Sequence, residues 1–157
     1  LLYLADKTGR LGGEGLRGRT TVTEWLAWQV ANVGPARGQL NHFRNYASET
    51  VTYAVERFRN EVDRLLGVLE ERLERAEFVA GEYSIADIAL WPWVRNPSRY
   101  GADFAEFPRV DAWVARIAER PAVVRALEKA DALRAAPAMD DEARKHLFGQ
   151  RARTRRP

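Results

Sequence analysis

The sequence has 157 residues, 46% of them hydrophobic and 30% charged, and no cysteine. This length fits one domain around a single core, and the composition excludes a disordered chain. The lack of cysteine excludes disulfides and thiolate-based metal or redox chemistry within these residues. No apolar run approaches the roughly 20 residues that a membrane-spanning helix needs, so no membrane partner is expected. His42 and His146 are too far apart to form a local metal motif, and no metal is expected. The net charge is +3, but residues 134–157 hold seven basic and three acidic side chains, so the tail carries +4 and the body −1. A basic tail on a near-neutral body offers nucleic acid only a weak, salt-sensitive attraction, and nucleic acid is not an expected partner.

In chain order, Leu1 to Thr8 reads as a helix stopped by Gly9, a residue suited to the left-handed C-terminal cap. Its apolar start is too short for a secretory signal and lacks a basic leader. It reads as the end of a helix that begins before Leu1. Gly12, Gly13, Gly15 and Gly18 mark residues 12–18 as a linker. Thr21 with Glu24 three residues later has the pattern of a capping box. The helix expected to start there carries Val22, Trp25, Leu26, Gln29, Val30 and Val33 at helical spacing. Gly34-Pro35 is expected to kink or end it, because proline lacks an amide donor. Residues 36–49 read as a second helical piece followed by a loop around Asn45.

The strongest signal spans residues 51–75, where Val51, Val55, Phe58, Val62, Leu65, Leu66, Leu69 and Leu73 form a stripe of period 3.6. Arg57, Asn60, Arg64 and Glu71 lie on the other side, as on a solvated helix face. After a connection at 78–83 comes Ser84-Ile85-Ala86-Asp87. There Ser84 can cap a helix while the Asp87 carboxylate reaches back to the Ser84 amide, and Tyr83 and Ile88 fall at the flanking staple positions. Pro92 lies inside this helix and is expected to bend it. Further helices are expected over 109–119 and from Pro121. The tail from Pro137 has few apolar residues and is expected to be mobile. The pattern is an all-α bundle of five or six helices. Composition and periodicity identify no nucleophile, no metal cluster and no phosphate loop, and His42 reads as a polar loop residue.

Four runs carry a family resemblance: Trp25-Leu-Ala-Trp28-Gln29; Gly34-Pro35-Ala-Arg-Gly38-Gln39-Leu-Asn-His42-Phe43; Tyr53-Ala-Val-Glu56-Arg57-Phe58; and Tyr83-Ser84-Ile85-Ala86-Asp87-Ile88-Ala89-Leu90-Trp91-Pro92-Trp93. Over residues 1–133 the chain resembles the C-terminal helical domain of glutathione transferases. Within that family it looks most like the bacterial Nu class, which is itself similar to the yeast nitrogen regulator. The resemblance implies that residues 1–11 are the last helix of a thioredoxin-like domain and that 19–133 form the helical domain, with 134–157 an Arg-rich flexible tail. It implies that the thiol-activating groups precede Leu1, leaving no catalytic residue in this chain. It further implies glutathione as a substrate, bound here by Arg57 and by Gln39, with disulfides or electrophiles as co-substrates. Trp28 and Val33 would line the acceptor pocket, and Ser84 with Asp87 would be a structural capping box. The intact protein would be a cytoplasmic homodimeric transferase or glutathione-dependent disulfide reductase; the alternative is a non-catalytic binding or assembly module.

Overall fold

A computed structural model of the chain describes residues 1–98, 103–133 and 140–149. Among these the elements are α1 (Leu2–Thr8), α2 (Gly15–Trp28), α3 (Gly34–Asn41), α4 (Thr52–Arg75), α5 (Ile85–Val94), α6 (Pro108–Ala118), α7 (Pro121–Ala132) and α8 (Asp141–Phe148). Two π turns, Gln29–Val33 and His42–Tyr46, flank α3. The only extended pairings described are single bridges, Phe78 with Gly81 and Ala80 with Glu82. The expected all-α class stands, with more segments than the five or six expected. Most of the Arg-rich tail, 134–139 and 150–157, lies outside the described residues, and so does the expectation of flexibility there.

The first departure is at α2. The helix starts at Gly15, inside the stretch read as linker, and Thr21 and Glu24 are interior residues rather than a capping box. The Thr20 and Thr21 hydroxyls donate back to the carbonyls of Leu16 and Arg17, at 2.8 and 3.1 Å, which is what threonine does when it sits within a helix. The approach to α2 is a tight crossing: Gly13 has φ +83°, and a Cβ on it would stand 2.4 Å from the Gly18 carbonyl carbon. Only glycine fits there, so the glycines that suggest a linker serve a close backbone contact.

The second departure is at Gly34-Pro35. The chain runs on from α2 into α3 through a π turn, in which the Gly34 amide donates to the Gln29 carbonyl five residues back. The extra residue widens the helix just where the Pro35 ring would strike the preceding turn, so proline is taken into the first turn of α3 without ending the rod. A second π turn carries the rod to Tyr46, with Asn45 inside it rather than in a loop.

The helix α4 agrees with the expected stripe. Val62, Leu65, Leu66 and Leu69 are buried, with Val55, Phe58 and Leu73 half-buried beside them. Trp113, Val110 and Ile117 of α6, Leu90, Trp91 and Val94 of α5, and Leu40 of α3 complete the core. Glu71 and Arg75, one turn apart, form an ion pair at 3.0 Å on the exposed side.

Two carboxylates lock the helices to one another. Asp87 is fully buried. Its Oδ2 accepts from the Ser84 amide at 3.0 Å and the Ser84 hydroxyl at 3.2 Å; its Oδ1 accepts from the Val79 amide at 3.1 Å and the Trp113 indole N–H at 2.9 Å. Ser84 in turn accepts from the Ala86 amide at 3.3 Å, which completes the helix start. Burial pushes the Asp87 carboxyl up from its ordinary value, and the donors from Trp113, Val79 and Ser84 pull it back down. The second carboxylate is Glu70 of α4. It accepts from the Arg109 and Val110 amides at 3.0 and 2.9 Å and so caps α6, whose own N-cap residue, Phe107, offers no side-chain acceptor. Arg109 also places its guanidinium between Glu70 and Glu74, each at 3.1 Å.

Two stability measurements follow. Asp87→Asn keeps the volume but turns an NH2 group toward donors. With buried donors left unmatched, a loss of about 2–4 kcal/mol is expected. Chemical denaturation measures it, and an unshifted midpoint would show that the carboxylate does not hold these elements. Glu70→Ala is expected to cost about 1–2 kcal/mol through the lost cap. Glu74→Ala, which removes only an exposed ion pair, is expected to change stability by less than about 1 kcal/mol. Equal losses at the two positions would refute the capping role of Glu70.

Candidate functional site

The helix α3 and the first half of α4 run antiparallel, with the Phe43 and Phe58 rings stacked at 5.9 Å between them. That contact closes one end of the bundle, and most of the polar and aromatic side chains singled out by the sequence are near it. Gln39 lies one turn before Phe43 and is exposed; Arg57 adjoins Phe58 and is exposed. The Arg57 guanidinium makes no hydrogen bond among the described residues. Glu61, one turn on, attracts it, yet the Glu61 carboxylate is held by both Nε and Nη2 of Arg64 at 3.0 and 2.8 Å. That grip lowers the Glu61 carboxyl below its ordinary value and leaves the planar donor edge of Arg57 available. Tyr53, one turn before Arg57, is 78% exposed, an uncovered aromatic that sequence reasoning passed over.

Trp28 and Val33 stand elsewhere. They line a small space with Arg37 and with Val62, Leu65 and Leu69 of α4, roomy enough for about one water. Val33 is buried. In the described chain Val33 lies within the core and Trp28 packs half-buried against it. Arg37, 1% exposed, lines the same space, and the sequence pattern gives no reason to single it out.

A larger cleft, about 420 Å³, opens where the second π turn meets α8. Its walls include His42, Phe43, Tyr46, Arg144, Lys145 and Phe148. His42 is therefore not a loop residue: it opens the π turn, half-buried, with its ring 5.2 Å from Phe43 and 4.7 Å from Phe148. The expected mobile tail is corrected here as well. Residues 141–148 form a helix capped by Asp140, which accepts from the Ala143 amide at 2.7 Å. Arg144 donates to the Tyr46 carbonyl, and Phe148 lies 5.8 Å from the Tyr46 ring. No sequence signal links His42 to Phe148 because the contact spans more than a hundred residues and neither belongs to a periodic stripe. Among the described residues no group of three or more His, Asp or Glu side chains is placed to hold a metal ion. No described helix is long and apolar enough to cross a membrane.

An isolated eight-residue helix is unstable in water, so α8 depends on this docking. Phe148→Ala is expected to release it. Trypsin cleavage at Arg144 and Lys145 would then speed up several-fold while the far-ultraviolet signal of the bundle is kept. Unchanged cleavage would show that Phe148 does not anchor α8.

Comparison with known proteins supplies the context. The family model for the glutathione S-transferase C-terminal domain matches residues 34–121. The disulfide-bond oxidoreductase YfcG of Escherichia coli (strain K12) is 48% identical over 131 residues, which are 83% of this chain and 61% of that protein. The transcriptional regulator URE2 of Saccharomyces cerevisiae is 31% identical over 167 aligned residues, covering 81% of this chain and 47% of URE2. A crystal structure of a glutathione transferase from Burkholderia graminis, with two glutathione molecules bound per subunit, superposes with a TM-score of 0.75 at 41% identity, over 82% of this chain and 57% of that one. The chain thus spans about half to three-fifths of the length of these relatives. With the helical fold, the Ser84–Asp87 box and the matched region in agreement, the chain belongs to the glutathione S-transferase C-terminal domain family.

Proposed function

We propose that this chain is the helical portion of a glutathione-dependent disulfide oxidoreductase or transferase. The likeness to YfcG, at 48% identity over most of the chain, carries the reading. The Burkholderia graminis structure with two glutathiones per subunit supports it, as does a transferase from Phanerochaete chrysosporium, 35% identical, solved with oxidized glutathione. In the reduction, the thiolate of one glutathione attacks a disulfide sulfur and forms a mixed disulfide while one thiolate leaves. A second glutathione thiolate then attacks the mixed disulfide. The products are oxidized glutathione and two thiols, and no other oxidant or reductant is consumed. A thioredoxin-like portion supplies the thiolate-stabilising donors, which lower the thiol pKa by bonding the charged form.

The role of this chain's own residues is recognition. Glutathione presents two carboxylates, and Arg57 offers a planar donor edge that no neighbouring carboxylate has captured. Gln39, exposed near the Phe43–Phe58 end, adds an amide that can donate or accept. The cleft beside α8 takes the acceptor: its aromatic walls suit an apolar group, and Arg144 and Lys145 suit an anion.

Calorimetric titration of the full-length protein with glutathione tests this reading. Arg57→Ala is expected to weaken binding about tenfold to over a hundredfold, the value of a charge-assisted bidentate contact. Arg57→Lys is expected to recover part of it, because an ammonium lacks the planar fork. Affinity within about twofold of wild type would remove Arg57 from the site. The likeness to a transcriptional regulator favours a second reading, a binding module without turnover. Glutathione binding with no disulfide reduction in the full-length protein would select it.

A further inference from the structure

The cleft of about 420 Å³ is closed on one side by α8, a helix of this chain that lies outside the residues 34–121 matched by the family model. Phe43 belongs to two surfaces at once. It lines the cleft, and its ring stacks on Phe58, the neighbour of Arg57. The cleft therefore begins where the proposed glutathione contact ends, which is where a second reactant must lie to meet the glutathione sulfur.

Rings set the shape of this cleft. The His42 ring stands edge-on to Phe43 at 85° and to Phe148 at 73°, and the Tyr46 ring is tilted by 38° against Phe148. Despite these two contacts Phe148 is still 46% exposed, so its ring has surface left for another. Walls at such angles offer both ring faces and ring edges, and a planar aromatic group gains contacts there that a flexible alkyl chain does not. The volume lies within the ~300–1,000 Å³ of ligand-sized pockets.

Charge makes a second selection. The lining holds two cationic side chains, Arg144 and Lys145, and one carboxylate, Glu49. Arg144 is engaged in pinning α8, because its Nη1 donates to the Tyr46 carbonyl. Lys145 follows it on the same helix and is exposed. Its ammonium is a compact charge on a flexible stem, able to meet a carboxylate over a range of angles. Of the three lysines in the sequence, Lys7, Lys129 and Lys145, it is the one in this lining.

Resting on the reading of the chain as part of a glutathione-dependent disulfide oxidoreductase, we propose that the acceptor in this cleft is an aromatic disulfide carrying a ring carboxylate. One ring packs on the free side of Phe148, and its carboxylate meets Lys145. The glutathione thiolate attacks one sulfur of the acceptor, the S–S bond breaks and an aryl thiolate leaves. A second glutathione thiolate attacks the glutathione sulfur of the mixed disulfide and expels the other aryl thiolate. Two glutathione thiols are oxidised to one disulfide, the acceptor is reduced by the same two electrons, and the two thiol protons pass to the aryl thiolates or to solvent. Lys145 and Phe148 select the acceptor and take no part in the exchange.

The test is steady-state disulfide reduction by the full-length protein at saturating glutathione, corrected for the uncatalysed rate. Three acceptors are compared: the disulfide of para-mercaptobenzoic acid, its neutral carboxamide counterpart and hydroxyethyl disulfide. The KM of the acid is expected about fivefold below that of the carboxamide, the value of a solvent-exposed charge contact. Lys145→Gln is expected to raise the KM of the acid about fivefold, level with the carboxamide, with little change in kcat, as loss of binding common to ground and transition states requires. Lys129→Gln, on α7 and outside the cleft, removes the same net charge and is expected to leave the ratio of the two KM values at its wild-type level. Phe148→Leu is expected to raise the KM of both aromatic acceptors about threefold relative to hydroxyethyl disulfide. Equal KM values for acid and carboxamide in the wild type overturn the proposal. So does a ratio unmoved by Lys145→Gln or moved as much by Lys129→Gln, or aromatic KM values unmoved by Phe148→Leu. Reduction of hydroxyethyl disulfide without these preferences overturns the acceptor assignment alone. Reduction of none of the three overturns the oxidoreductase reading and the assignment with it.

Discussion

The Asp87 carboxylate holds together parts of the chain that hydrophobic packing alone would leave free to slide. It takes its hydrogen bonds from the turn before α5, from the first residue of that helix's cap and from an indole on α6. The directional demand of a buried carboxylate fixes the angle at which α5 leaves the turn and the depth at which Trp113 inserts. From there the constraint spreads. The Ile85 amide, another donor at the start of α5, is satisfied by the Leu11 carbonyl, which ties the segment after α1 to the same point. Arg72 of α4 donates to the Val79 carbonyl at 2.8 Å, so the turn is gripped from both sides of its backbone. The Trp91 indole donates to the Val114 carbonyl, a second cross-tie between α5 and α6. Glu70 does for α6 what Asp87 does for α5, except that the acceptor arrives from another helix.

Much of this was legible in the residues themselves. A four-residue box with its staple identifies the start of α5, because the chemistry of that cap is local. An unbroken stripe of period 3.6 identifies α4, because burial on one side of a long helix imposes that period. The elements that escaped are those whose cause is not local. The glycines before α2 resemble a linker, and only the crossing of Gly13 against Gly18 explains them. The π turns leave the hydrophobic pattern almost unchanged, since they alter hydrogen-bond register rather than side-chain character. The helix α8 has two apolar residues near its end and owes its order to a partner surface far away in sequence. Among the candidate residues, Arg57 could be picked out through resemblance. The cleft wall formed by His42 and Phe148 could not, because it exists only once the tail is docked.

The division of labour among charged groups follows the same physics. Carboxylates at Asp87 and Glu70 are used up by internal donors and work as joints. Arg57 is kept out of such joints by the grip of Arg64 on Glu61. A protein surface with 25 basic and 22 acidic side chains would be expected to cancel itself locally. A guanidinium left without a carboxylate partner, such as that of Arg57, is therefore where an anionic ligand gains most, since nothing inside the molecule competes for it.

The two π turns have a geometric consequence for the rod formed by α2 and α3. Each inserts a residue without lengthening the hydrogen-bonded ladder in step, and one residue is about 100° of helical phase. Everything beyond Val33 is therefore clocked around the axis relative to α2, and everything beyond Tyr46 is clocked once more. Loss of a single residue from the first turn would return it to α-helical hydrogen bonding and leave Leu40 facing the core, whereas the same loss within α2 or α3 would rotate the residues beyond it by about 100°. The facing of this rod is thus stored as a count of residues. A substitution can weaken the packing of α3, but only an insertion or deletion can turn it.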